Sequence, residues 1–128
     1  MANAERAGVL ADLVIEQGSL SDTALETIGP AGLVLTNPPF GGVEEPGTEN
    51  NFPADVRTKE TADLFLVLIK HILKANGRAA LVLPDGTLFG EGVKTRIKEQ
   101  LLAECNLHTI VRLPNGVFAP YTGIKTNL

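Results

Sequence analysis

The chain has 128 residues, 44% of them hydrophobic, and a net charge of −4 at pH 7. These values predict about one domain with its own core, and the acidic balance argues against strong non-specific DNA binding by this chain alone. The chain has a single cysteine, so it forms no internal disulfide. It has no stretch of roughly 18 apolar residues, which argues against a membrane span, and no signal-peptide pattern, which argues against secretion. We therefore expect a cytoplasmic location.

The predicted elements begin with a short strand at residues 13–15 and a short helix at 21–27, which a Gly-Pro pair ends. A further strand is predicted at 33–36. The Gly-, Pro- and Asn-rich segment 41–58 is predicted to be a long mobile loop. Such a loop either faces a binding site or simply covers the surface.

The rest of the chain alternates helices and strands. We predict a broadly apolar, buried helix at 59–74, a buried strand at 79–83, an amphipathic helix at 92–104 and strands at 107–113 and 124–128. This alternation predicts an α/β fold with a mostly parallel, helix-covered sheet and a terminal antiparallel hairpin.

The most informative pattern is Asn37-Pro38-Pro39-Phe40, which directly follows the strand predicted at 33–36. Prolines have no N–H group for a central ladder, so the chain must turn at the carboxyl end of that strand. In open α/β sheets this edge is where ligands bind. The four residues are therefore candidate catalytic residues.

The turn suits chemistry on an exocyclic amino group. The side-chain oxygen of Asn37 and the carbonyl oxygen of Pro38 could accept both amino hydrogens, which localises the nitrogen lone pair and stabilises the positive charge of methyl transfer. The ring of Phe40 could stack on a base. On the tetrapeptide alone, a structural turn with a capping Asn and a core Phe remains an open alternative.

Several separated blocks resemble the catalytic domain of type I restriction-modification methyltransferase subunits. From about Leu33 onward they are, in the family's order, NPPFGG, TADLFLVLIKHILK, GRAALVLPDGTLFGEG and VRLPNGVFAPYTGIKTNL, whereas residues 1–32 match poorly. The resemblance implies a partial Rossmann-like fold and transfer of a methyl group from S-adenosylmethionine to N6 of a flipped adenine in DNA. It also implies a specificity subunit and a restriction subunit as partners. The first block is shared with methyltransferases that act on protein glutamine or RNA, so these substrates remain alternatives.

The resemblance also implies roles for individual residues. Phe118 would pack on the side of the flipped base opposite Phe40, and Lys125 could contact phosphate, although a solvated lysine is the simpler reading. Ser19 lies where the family often has an acid that contacts the cofactor adenine, and Leu64 and Phe65 could wall the cofactor site. No cluster of Cys, His and carboxylates has metal-ligand spacing, so no metal is expected.

No glycine-rich turn of the kind that binds S-adenosylmethionine precedes residue 33. We therefore expect the main cofactor loop to be missing from this chain, which would be one fragment of a catalytic domain and inactive alone. A non-catalytic α/β fragment that binds a partner is the alternative. If part of the catalytic domain is missing, the strand at 33–36 has an unpaired edge. This edge would promote self-association or be covered by the N-terminal segment.

Overall fold

The computed structural model describes residues 30–128. The elements in chain order are β1 (Ala31–Thr36), α1 (Thr61–Ile72), β2 (Leu73–Leu81), β3 (Leu83–Pro84), α2 (Asp85–Phe89), α3 (Val93–Glu104) and β4 (Thr126–Asn127). Two 3-10 turns, Thr48–Asn51 and Ala54–Val56, lie between β1 and α1. The strand predicted at 13–15 and the helix predicted at 21–27 lie outside the described residues.

The strands form two small sheets. β1 and β2 are parallel, with Thr36 paired to Leu81, and β3 and β4 are antiparallel, with Leu83 paired to Asn127. The described part of the chain is therefore α/β, with a two-stranded parallel sheet and an antiparallel pair. Parallel pairing follows from the intervening helix α1, because a crossover connection brings the second strand back in the same direction.

The far edge of β1 has no strand beside it within residues 30–128. Leu35 in this strand is 70% exposed, so β1 presents an apolar side chain as well as unpaired backbone groups. Such edges favour association with another strand. Self-association of the chain through this edge stays a prediction.

The boundary between α1 and β2 differs from the prediction. The helix ends at Ile72 and the strand begins at Leu73, with no connecting loop. The bend expected after the helix occurs inside the strand, where Asn76 has a φ of 63°. Gly77 belongs to the same bend, since a Cβ there would lie 2.8 Å from the carbonyl oxygen of Lys74.

The strand predicted at 107–113 is wrong as a continuous element. Residues 107–110 are exposed and have no partner strand within the described range, and Arg112 forms only an isolated bridge with Asn127. The antiparallel closure is nevertheless present in short form. Val111 and Leu128 exchange N–H···O bonds of 2.6 and 2.8 Å, so the 111–113 segment lies beside β4.

The core lies between α1, α3 and the segment that precedes α1. Its buried residues are Phe52, Val56, Leu64, Leu66, Val67, Leu68, Leu83 and Ile97. Helix α3 is present as predicted, but its amphipathic character is weak, because it buries fully only Ile97, while Val93 and Leu102 are 37% and 63% exposed. The burial of Phe52 and Val56 gives segment 41–58 more local structure than the sequence predicted, and its mobility stays a prediction.

Candidate active site

The carboxyl ends of β1 and β2 meet at one edge of the parallel sheet. The backbone N–H of Val82 donates to the carbonyl oxygen of Thr36 at 3.1 Å, so the two strands stay together to their last residues. The Asn37–Phe40 turn leaves β1 at this edge, and β3 and Asp85 follow β2 at the same edge. The location predicted for the motif is therefore the location observed.

The motif presents one polar side chain to solvent. Asn37 is exposed, and within residues 30–128 its side-chain amide has no hydrogen-bond partner. Pro38 is buried and Pro39 is exposed, so the rigid turn is anchored at its second residue. Within the described residues, the Asn37 amide is therefore exposed and does not cap its own backbone.

Two aromatic rings from distant parts of the chain meet beside this turn. The ring centroids of Phe40 and Phe118 are 5.2 Å apart, and the ring planes are inclined by 60°. Tilted contacts at this distance are favourable for aromatic pairs. The two residues that the resemblance assigned to opposite sides of a base therefore lie at one site.

A second contact joins the same two segments. Gly41 has a φ of +76°, which favours glycine, and a Cβ at this position would lie 3.1 Å from Cδ1 of Ile124. The chain beyond Phe40 therefore approaches the segment that carries Phe118 too closely for a side chain to fit without movement. The two segments that carry the rings are therefore in contact at a second point.

The other predicted site residues have varied positions. Lys125 is exposed, and its carbonyl oxygen accepts the N–H of Asp85 at 3.0 Å. Leu64 is fully buried in the core, and Phe65 is partly buried against it. Ser19 lies outside the described residues. The cofactor contacts predicted for these three residues remain predictions.

The segment after the motif is attached to the start of α1. The hydroxyl of Thr61 donates to a carboxylate oxygen of Glu44 at 2.7 Å, and the backbone N–H of Thr61 donates to the carbonyl oxygen of Gly42 at 3.2 Å. The exit of the motif is therefore held by side-chain and backbone bonds together.

Glu60, Asp63 and Lys94 form a charged group between α1 and α3, which we call the helix cluster. The Lys94 ammonium lies 2.5 Å from Asp63 Oδ2 and 2.6 Å from Glu60 Oε2. Burial disfavours the charged lysine, but hydrogen bonds from both carboxylates outweigh that effect and raise the pKa of Lys94 above its usual value. No local sequence pattern indicates the Asp63–Lys94 contact, because the two residues are 31 positions apart.

Asp85, Arg112 and Asn127 form a second polar group, the edge cluster, at the carboxyl edge of the sheets. Arg112 donates from both terminal nitrogens to the two Asp85 oxygens, at 2.8 and 2.9 Å. The side-chain amide of Asn127 donates to Asp85 Oδ1 at 2.7 Å. No local sequence pattern indicates these contacts, because the partners of Asp85 lie 27 and 42 residues away along the chain.

The described residues show neither a metal site nor a membrane-spanning helix. Among residues 30–128, no three His, Cys, Asp or Glu side chains are grouped so that they could hold a metal ion. None of the helices described is long and apolar enough to cross a membrane. The sheet edge with the motif and the two phenylalanines is therefore the candidate active site.

Comparison with known proteins assigns the family. The sequence pattern of the N-6 DNA methylase family matches residues 7–128. The chain belongs to this family. The methylase subunit of the type I restriction enzyme EcoEI from Escherichia coli is 73% identical over 96 residues, which are 75% of this chain and 20% of that protein. The chain thus spans about one fifth of the length of the curated relatives it matches.

Solved structures give the same assignment. The M protein of the type I restriction enzyme EcoKI matches with a TM-score of 0.76 and 34% identity, over 98% of this chain and 26% of that one. A second solved structure concerns the complex assembly and conformational transition of the type I R-M system. It matches with a TM-score of 0.78 and 38% identity, over 98% of this chain and 26% of that one. The resemblance predicted from the sequence blocks is confirmed.

Proposed function

We propose that this chain is part of the modification subunit of a type I restriction-modification system and carries the target-base side of its active site. The reaction is methylation of adenine N6 in DNA. The observation that carries the proposal is the contact between Phe40 and Phe118, which joins the end of the turn that carries the exposed amide of Asn37. Membership in the N-6 DNA methylase family supports the choice of nucleophile.

The chemistry assigned to the turn uses two hydrogen-bond acceptors. The Asn37 side-chain oxygen and the Pro38 carbonyl oxygen accept the two hydrogens of the adenine amino group. This draws the nitrogen toward a tetrahedral geometry and frees its lone pair for attack on a methyl group. The same two dipoles stabilise the positive charge on the nitrogen in the transition state, where such preorganised groups are most effective.

The two phenylalanines bind the base that has left the DNA helix. Two rings with a base stacked between them are separated by about 7 Å, twice the usual contact distance of about 3.5 Å between carbon atoms. The observed 5.2 Å is too short for a base to fit between the rings. The ring pair therefore opens by about 2 Å when the flipped base enters.

S-adenosylmethionine is the methyl donor that the family implies, and it would supply the methyl group. Residues 30–128 do not form a cradle for it. Leu64 has no exposed surface, and the turn after β1 is the proline motif instead of a glycine turn. We therefore assign the described residues to the target base and not to the methyl donor.

The wider context of the proposal is an assembly on DNA. A specificity subunit would select the sequence, and a restriction subunit would join the same complex. The described strands and helices would be part of a Rossmann-like methyltransferase domain in the cytoplasm. The acidic balance of the chain fits this division, because most of the phosphate contacts would come from other parts of the assembly.

The direct test is Asn37→Ala in the complete modification subunit with its specificity partner. Loss of one acceptor of this kind lowers kcat by about 100- to 1,000-fold. The matched control is Asn106→Ala, which removes an exposed amide at the end of α3. Methyl transfer to DNA that carries the recognition site is measured with labelled methyl donor. Full activity of Asn37→Ala would exclude the proposed role.

A further inference from the structure

The edge cluster binds both ends of the loop that carries Phe118. Arg112 lies just before residues 113–125, and Asn127 lies just after them. Both side chains donate to the single carboxylate of Asp85, through three hydrogen bonds of 2.7 to 2.9 Å. One carboxylate therefore fixes where the loop begins and where it ends.

Backbone bonds set the direction of the loop from the same place. The N–H of Asp85 donates to the carbonyl oxygen of Lys125 at 3.0 Å, and the N–H of Leu113 donates to the carbonyl oxygen of Thr126 at 3.1 Å. Within the loop, the carbonyl oxygen of Phe118 accepts the N–H of Tyr121 at 2.9 Å. The loop is thus closed at its two ends by these bonds. Phe118 lies near the middle of the loop sequence and contacts Phe40.

The contact between Arg112 and Asp85 fixes the orientation of the two side chains more than it adds to stability. A forked Arg–carboxylate pair has two parallel bonds, which fix the guanidinium plane as well as its distance. Asn127 is only 4% exposed, so its amide has little freedom to rotate away from Asp85. Arg112 is 46% exposed at its side chain, and each of its two terminal nitrogens donates one hydrogen bond to Asp85.

We infer that Asp85 is a positioning residue for base binding, which acts through Arg112 and Asn127 on the placement of Phe118. This inference rests on the proposed function of the phenylalanine pair. Displacement of a catalytic or binding group by about 1 Å reduces rate by about 100-fold. Loss of the Asp85 charge therefore reduces methylation although Asp85 touches neither the base nor the methyl donor.

The test is a double-mutant cycle in the complete modification subunit assembled with its specificity subunit. Asp85→Asn is made in the wild-type background and in a Phe118→Ala background, and kcat is measured per folded molecule. We expect Asp85→Asn to lower kcat at least tenfold when Phe118 is present and less than about threefold when Phe118 is absent, since coupled residues are not additive. DNA affinity should change less than about threefold, because phosphate contacts elsewhere supply most of it.

The control and the contrary results are equally defined. Glu99→Gln disrupts the exposed Arg96–Glu99 pair on α3, and it should leave kcat unchanged in both backgrounds. Equal loss from Asp85→Asn in both backgrounds, or no loss in either, overturns the inference. If Asp85→Asn does not fold, Arg112→Lys, which keeps the charge but not the fork, is carried through the same cycle and judged by the same criteria.

The test also separates this inference from the proposed function. If the wild-type complex does not methylate adenine, the proposed function has failed, and the positioning role of Asp85, which rests on it, fails with it. If the wild-type complex is active and Asp85→Asn is additive with Phe118→Ala, only the positioning role has failed.

Discussion

The helix cluster and the edge cluster are both small groups of charged and polar side chains, but they differ in what they hold together. In the helix cluster, Lys94 joins two helices that already share the core, and its partner Asp63 is completely buried. In the edge cluster, Asp85 joins segments that otherwise meet only through short backbone pairing. We therefore expect the helix cluster to govern stability and the edge cluster to govern activity.

The core near the helix cluster should give the largest effect on stability. Ile97 is the buried residue of α3 and is 2% exposed. Ile97→Ala should lower the free energy of unfolding by about 3 kcal/mol, because it removes buried methyl groups and leaves a cavity. Denaturant unfolding measures this. Leu102→Ala is the control, since Leu102 lies on the same helix and is 63% exposed, and a comparable loss there would contradict the assigned core.

Removal of the helix cluster's cation should have the next largest effect. Lys94→Met leaves the Asp63 carboxylate buried without its partner, which should cost about 2 to 3 kcal/mol. Lys70→Met is the matched control. The two lysine side chains have similar exposure, 14% and 15%, but the ionic partner of Lys70, Glu104, is 56% exposed, whereas Asp63 is 1% exposed. The Lys70 change should cost less than about 1 kcal/mol.

The helix cluster also predicts a pH dependence of stability. Because the pKa of Lys94 in the folded chain is raised above its ordinary value of 10.5, the cluster stabilises the fold fully below pH 10.5. This contribution is lost as the pH rises through the raised pKa. The difference in unfolding free energy between the wild type and Lys94→Met should therefore be constant near neutral pH and shrink above pH 10.5. A difference that grows above pH 10.5 would contradict this.

A smaller effect, on binding of the base, is expected from a change in one of the two phenylalanine rings. Phe40→Leu keeps an apolar side chain but removes the aromatic face, and base stacking on an aromatic ring is worth about 1 to 3 kcal/mol. We expect methylation to fall by at least about fivefold with little change in the unfolding midpoint. Phe89→Leu is the control, because Phe89 is 71% exposed and in the structure has no ring partner within residues 30–128.

Several features of the fold and of the candidate site could be predicted from the sequence. Helix α3 and the parallel pairing of β1 with β2 followed from local apolar periodicity and from the alternation of elements. The place of Asn37–Phe40 also followed, since the prolines fix the end of β1. Phe118 was assigned to the site by family resemblance, because nothing in its own segment indicates contact with Phe40.

The parts that sequence analysis missed depend on contacts between distant residues. The bridge from Arg112 to Asn127 replaced a full predicted strand, because residues 107–110 have no neighbour within the described range to pair with. The partners of Asp85 lie 27 and 42 residues away, and those of Lys94 lie 31 and 34 residues away. No local pattern predicts such pairs, because the fold brings them together.

The central claim is that the carboxyl edge of β1 binds adenine for methylation at N6. The most direct test is the identity of the product. The complete subunit, with its specificity partner, is incubated with methyl donor and DNA, and the DNA is digested to nucleosides for mass spectrometry. We predict that the modified nucleoside is N6-methyl-2′-deoxyadenosine. It should be present with the wild type and lost with Asn37→Ala. A methylated cytosine instead, or the same yield of methylated adenine from both proteins, would contradict the account.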